Sequence, residues 1–137
     1  MLVLMDATRT SATNTEEAAP GKAPVNQFMH GVALANAQFK NVVTPNVDTI
    51  YTQVWYELSE EPMIYVHPET DRFCKVQVLD AWTNTVAVLD RAGAYAITRA
   101  TWKGDLPDNV TRIDVPTAMA WAITRTVLSG EADLPNV

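Results

Sequence analysis

The run Thr44-Pro-Asn-Val-Asp-Thr-Ile-Tyr51 sets Asn46, Asp48, Thr49 and Tyr51 close together. An amide, a carboxylate, a hydroxyl and a phenol at this spacing can bind a ligand hydroxyl, hold a cation or take up a substrate proton. The same residue types also build Asx-type turns, whose side-chain oxygens accept neighbouring backbone N–H groups. That reading accounts for the stretch at least as well. A second polar bend follows, where Asp80 and Asn84 flank Trp82 and Gln77 lies just upstream. If the two bends meet at one end of a sheet, Asp48 and Asp80 form a carboxylate pair able to bind a cation or share acid–base work. The candidate ligand-binding set is therefore Asn46, Asp48, Thr49, Tyr51, Gln77, Asp80 and Asn84. Tyr51 and Gln77 fall at outward-facing positions and line a site only where that face is covered.

Other chemistry has less to stand on. His30 and His67 are the two histidines and Cys74 is the single cysteine, with no HxH, HExxH or CxxC spacing. No metal centre is expected, and an internal disulfide is excluded. Cys74 alternates with core-like positions and reads as a small hydrophobe rather than a nucleophile. There is no GxSxG elbow, and the five glycines are scattered, so neither a serine nucleophile nor a phosphate loop is indicated and no cofactor is expected. Trp55, Trp82, Trp102 and Trp121 could stack on a sugar, but packing explains them more simply. Trp55 and Trp102, if exposed, would serve as interface anchors.

These residues need a scaffold. A chain of 137 residues is one domain by size. Its net charge of -6 and lack of any basic run argue against a nucleic-acid partner. Apolar stretches fall short of a membrane helix, and Asp6 and Arg9 interrupt the apolar start, so neither a membrane span nor a signal peptide is expected. The cytoplasm is the default compartment, with a periplasmic or secreted location if a signal lies upstream.

Residues Met1–Thr10 read as a short helix burying Leu2, Val3 and Met5. Ser11–Pro24 reads as an exposed flexible linker. The chain thus divides into a helix with its linker over 1–24 and a single β-rich domain over 25–137. Val25, Phe28, Met29 and Val32, after a cap at Asn26, suggest a second short helix. From Ile50 the period becomes two: Ile50, Val54, Tyr56 and Leu58 share one strand face, and Tyr51, Gln53, Trp55 and Glu57 the other. Further strands are expected at Met63–His67, Phe73–Leu79, Asn84–Leu89, Gly93–Arg99 and Val110–Val115. Turn signals at regular spacing suggest an antiparallel sandwich or barrel. Pro116-Thr117 then opens an expected C-terminal helix, with Ala120, Ile123 and Val127 on one face, Arg125 near its end and Gly130 as its cap. The fold class is mainly β with peripheral helices.

The blocks Val43-Thr-Pro-Asn-Val-Asp-Thr-Ile-Tyr51, Gln77-Val-Leu-Asp80 and Thr83-Asn84 resemble the bacterial family called domain of unknown function 1254. Trp102-Lys-Gly104, Pro116-Thr117 and Arg125-Thr126 resemble its later blocks, and the likeness runs over about Asn26–Val137. It implies a β-rich, jelly-roll-like domain and a second domain, of the related family 1214, in many members. No activity comes with it. Asn46, Asp48, Thr49, Tyr51, Gln77, Asp80 and Asn84 are its recurring polar positions. Two departures stand out. The Gly- and Thr-rich connection expected before Gly93 is reduced to Asp90-Arg-Ala-Gly93, and the second domain is expected either further along a longer protein or on another chain.

Two functions are in play. The first is a module for a small polar ligand or cation, with another surface packing on a second domain or a second copy of the chain. The second is a hydrolase or lyase with Asp48 or Asp80 as general base and Tyr51 or His30 as acid.

Overall fold

The computed structural model describes residues 2–19, 21–35 and 46–137. The expected loop end at Thr44-Pro45 and the side chains of Leu2, Val3 and Met5 lie outside the described residues. The elements in chain order are α1 (Leu2–Thr13), β1 (Met29–His30), β2 (Thr49–Glu57), β3 (Met63–His67), β4 (Cys74–Asp80), β5 (Thr85–Leu89), β6 (Gly93–Arg99), β7 (Val110–Val115) and β8 (Met119–Val127). A 3-10 helix over Glu131–Asn136 follows.

Two sheets form the body. The larger has the order β1-β2-β8-β4-β5, and the smaller β3-β6-β7. Together they make a sandwich-like, mainly β fold. The alternating pattern of β2 explains its place: Val54 and Tyr56 face inward and pair across with Ala122 and Ala120 of β8. Val76 and Val78 of β4 pair with Thr124 and Ala122 on the other side of β8. Small alanines in the middle strand leave room for Tyr65 and Ile97 of the opposite sheet, which join the same buried cluster as Val115 and Leu89. Each large apolar side chain so buried contributes about 1.5–3 kcal/mol against solvent exposure. Polar contacts also cross the layers: the Tyr65 hydroxyl lies 2.9 Å from Thr124 Oγ1, and His67 Nε2 lies 3.3 Å from the Cys74 carbonyl oxygen.

The mainly β class, the N-terminal helix and the strand sequence agree with the sequence reading. Five local expectations do not. First, the expected C-terminal helix is β8, the middle strand of the large sheet. Ala120, Ala122 and Thr124 face the core while Trp121, Ile123 and Arg125 line the other face. A strand buried on both sides carries apolar residues at nearly every position, so its pattern mimics a helical stripe. The β-branched run Ile123-Thr124 and Thr126-Val127 tips the balance to strand.

Second, the expected helix near Val25–Val32 is a turn leading into β1. Asn26 has φ 65°, a conformation that stops a helix. Its Oδ1 does cap a backbone N–H, but that of Glu57, at 2.9 Å. Third, β6 and β7 run parallel, so the fold is not wholly antiparallel. Fourth, Trp55 is buried at 3% exposure, which ends its role as an exposed anchor. Fifth, the segment read as a flexible linker is shorter: α1 extends to Thr13, and the Ala23 N–H closes onto the Ala12 carbonyl at 3.0 Å.

Candidate site on the outer face of the large sheet

The Asp80 bend is a closed local structure. Asp80 Oδ1 accepts the backbone N–H groups of Trp82 at 2.8 Å and Asn84 at 2.9 Å, and Oδ2 accepts the Asn84 amide at 2.9 Å. Asp80 is 3% exposed. Its oxygens hold the turn that lets Thr83 adopt φ 68°. Asp48 is exposed, and its Oδ1 accepts the hydroxyl of buried Thr49 at 3.1 Å. Asn46 is exposed as well.

The two carboxylates do not meet. Asp80 pairs in register with Ala120 at the start of β8, whereas the Asp48 carbonyl accepts the N–H of Leu128 just beyond its end. The stretch of β8 between them, at about 3.3 Å per residue, separates them by roughly 25 Å. The expected Asp48–Asp80 rim is therefore corrected: the bends lie at opposite ends of the sheet. The cation site or shared acid–base work expected of the two carboxylates together goes with it. His30, offered as an acid, sits on β1, with Nδ1 3.0 Å from Thr52 Oγ1 and its ring stacked on Phe28. No group of three or more His, Cys, Asp or Glu able to hold a metal occurs among the described residues.

What the structure does bring together is Tyr51 and Gln77, through a residue the sequence reading assigned to a helix end. Tyr51 and Lys75 pair in register with Arg125 from either side. The Arg125 guanidinium lies 5.7 Å from the centre of the Tyr51 ring and donates from Nη1 to Gln77 Oε1 at 2.9 Å. The Gln77 amide donates in turn to Thr85 Oγ1 at 2.7 Å. One register step along, Gln53 and Gln77 flank Ile123, and Gln53 Oε1 accepts the indole N–H of Trp121 at 3.1 Å. Trp121 stacks on Trp55 with centroids 4.6 Å apart and planes 6° off parallel.

The result is an outer face with tryptophans at one end, amides in the middle and cations beyond. A close backbone approach supports its Tyr51 corner. The Gly31 N–H donates to the Tyr51 carbonyl at 2.7 Å, and a Cβ at Gly31 would stand 2.9 Å from that oxygen. Arg125 was the residue missed. A strand period of two over Met119–Val127 places Arg125 on the same face as Trp121 and Ile123.

The sequence matches the family described as protein of unknown function (DUF1254) over residues 25–137. The chain belongs to the DUF1254 family. The fold is shared with the crystal structure of the VPA0106 protein from Vibrio parahaemolyticus, at a TM-score of 0.61 and 21% sequence identity. That likeness covers 66% of this chain and 25% of the Vibrio protein, so the chain spans a minor part of that structure's length. No curated protein matches the chain. Tyr51, Gln77 and Arg125 come from three separate stretches of the matched region and converge on the outer face. No described helix is long and apolar enough to cross a membrane.

Proposed function

We propose that this DUF1254 domain is a binding module whose site for a small polar ligand is the outer face of the large sheet. The observation that carries this reading is the convergence of Tyr51 and Gln77 on Arg125. Donors and acceptors there are held by fixed neighbours, as a binding face requires, since pre-ordered groups lose less entropy when a ligand arrives. Gln77 is pinned between Arg125 and Thr85, and Gln53 is pinned by Trp121. The Trp121 ring adds a flat surface beside them.

Chemical-shift mapping tests this, with maltose, xylitol, benzoate and phenyl phosphate as probes. At least one probe class should move the amides of β2, β8 and β4 and the indole signal of Trp121, and leave β3 and β7 unmoved. If none of the four shifts these amides at millimolar concentration, the reading is wrong.

A second reading is that the same face seats another domain. The much greater length of the Vibrio structure favours it. In that case the isolated chain would self-associate or bind that domain in trans, and sizing by light scattering against concentration separates the two readings.

A further inference from the structure

The ligand class can be narrowed, resting on the reading just given. We propose that the outer face takes an organic oxyanion, a carboxylate or phosphate group carried on an apolar body, paired to Arg125 with Lys75 as the second cation. Charge favours an anion here. The chain has sixteen acidic residues against ten basic ones, and all sixteen lie among the described residues. The ion pairs of the described residues are Arg9–Asp6, Arg72–Asp133 and Arg112–Asp114. Neither Arg125 nor Lys75 has a carboxylate within reach, although they are register neighbours on adjacent strands. Two adjacent cations repel, and side by side on a sheet they cost stability unless an anion sits between or above them. In a chain of net charge -6 an acid-free pair of this kind is a local inversion of sign.

Geometry favours a forked anion. Gln77 occupies Nη1 of Arg125 and fixes the plane of the guanidinium. The remaining N–H groups have no partner among the described residues. A guanidinium held by one edge presents its other edge as a fork, which matches the two oxygens of a carboxylate or phosphate.

The surround of the two cations is apolar. Each cation lies over a ring, Arg125 over Tyr51 and Lys75 over Phe73 at 5.5 Å. Phe73 is 55% exposed and Val88 52% exposed at positions on the same face. An inorganic ion would leave this surface uncovered, whereas an anion with a flat or aliphatic body would cover it.

The test is a titration followed by calorimetry and amide shifts at low and high salt. Benzoate and phenyl phosphate are compared with benzamide, their neutral analogue, and with inorganic phosphate. Benzoate or phenyl phosphate should bind at least about ten times more tightly than benzamide, and which of the two binds better distinguishes carboxylate from phosphate. Inorganic phosphate should bind more weakly than phenyl phosphate. Arg125→Gln should lower oxyanion affinity about tenfold or more, and Lys75→Gln a few-fold with a shallower salt dependence. Should Arg125→Gln not fold, the exposed Lys75→Gln variant and the salt series decide.

Benzamide binding as well as benzoate overturns the inference, as does oxyanion affinity that ignores Lys75→Gln and salt. If maltose or xylitol binds this face and the oxyanions do not, the inference fails and the binding module stands. If no probe binds there, the binding-module reading falls too.

Discussion

Tyr56 and Tyr65 both place a phenol in the core, with opposite consequences. The Tyr65 hydroxyl pairs with Thr124 across the two sheets, whereas the Tyr56 hydroxyl is buried with no hydrogen-bond partner among the described residues. Burial, with a smaller contribution from Tyr65 nearby, pushes the Tyr56 phenol well above its ordinary value of 10.0. An unpaired buried hydroxyl costs about 1–3 kcal/mol, so Tyr56→Phe should leave stability unchanged or raise it by about 1 kcal/mol. Tyr65→Phe should lower it by about 1–2 kcal/mol, because it strands Thr124. Urea denaturation of the two variants checks both. The sign with pH follows from the raised value. The folded state keeps its proton where the unfolded chain gives it up, so this contribution is full below pH 10 and falls as pH rises above it. Tyr56→Phe should flatten that alkaline decline.

Asp80 belongs to the same scale. Three accepted hydrogen bonds hold its bend, so Asp80→Ala should destabilise by about 2–4 kcal/mol, read from a urea midpoint. The sequence showed that Asp80 and Asn84 make a turn, because Asx chemistry is local. It did not show where that turn lies relative to Asp48, because the distance depends on which strand sits between them.

That strand, β8, governs the element scale. It pairs over nine positions with β2 and over seven with β4, so both of its edges are hydrogen-bonded. Its amides should therefore be among the slowest to exchange with solvent, and those of β1 and β3 faster, in a native-state hydrogen-exchange experiment. A chain in which residues 119–127 exchanged as fast as the edges would contradict this pairing. The strands from Ile50 to Val115 were legible because most of them bury one face and alternate cleanly, as Cys74, Val76 and Val78 do against Lys75 and Gln77. β8 was not, because Trp121, Ile123 and Arg125 form a second half-buried face and erase the alternation. Reading Arg125 as a helix-end cation hid the residue on which Tyr51 and Gln77 converge. The motif at Trp102-Lys-Gly104 has a plainer explanation. The Trp102 ring lies against Gly104, where any Cβ would clash, and Arg112 packs over it at 5.3 Å. That block builds the outer side of the small sheet rather than the site.

At the scale of the whole molecule, the order of the strands and the closure of the chain end are set by contacts distant in sequence. Arg72, in the turn before β4, donates to both carboxylate oxygens of Asp133 in the 3-10 helix, the Nη2–Oδ1 bond being 2.8 Å. Asp133 also accepts the Ser129 N–H at 3.0 Å and the Asn136 amide at 3.2 Å. The Arg72 hydrogen bond, followed by those from Ser129 and Asn136, holds the Asp133 carboxyl far below the usual carboxylate range. A depressed acid contributes its stabilisation above its unfolded value of 3.8, and that contribution is lost as pH falls below it. The pair is solvent-accessible, so its effect should be local: the end of the chain should loosen while the sandwich stays folded. Arg72→Ala should therefore speed proteolytic cleavage after Leu128 several-fold at neutral pH and leave the main urea transition nearly in place. Wild-type protein should show the same loosening only in acid, and added salt should weaken the tether in wild type but not in the variant. A large fall in the global transition on Arg72→Ala would mean instead that this clasp supports the packing of the two sheets.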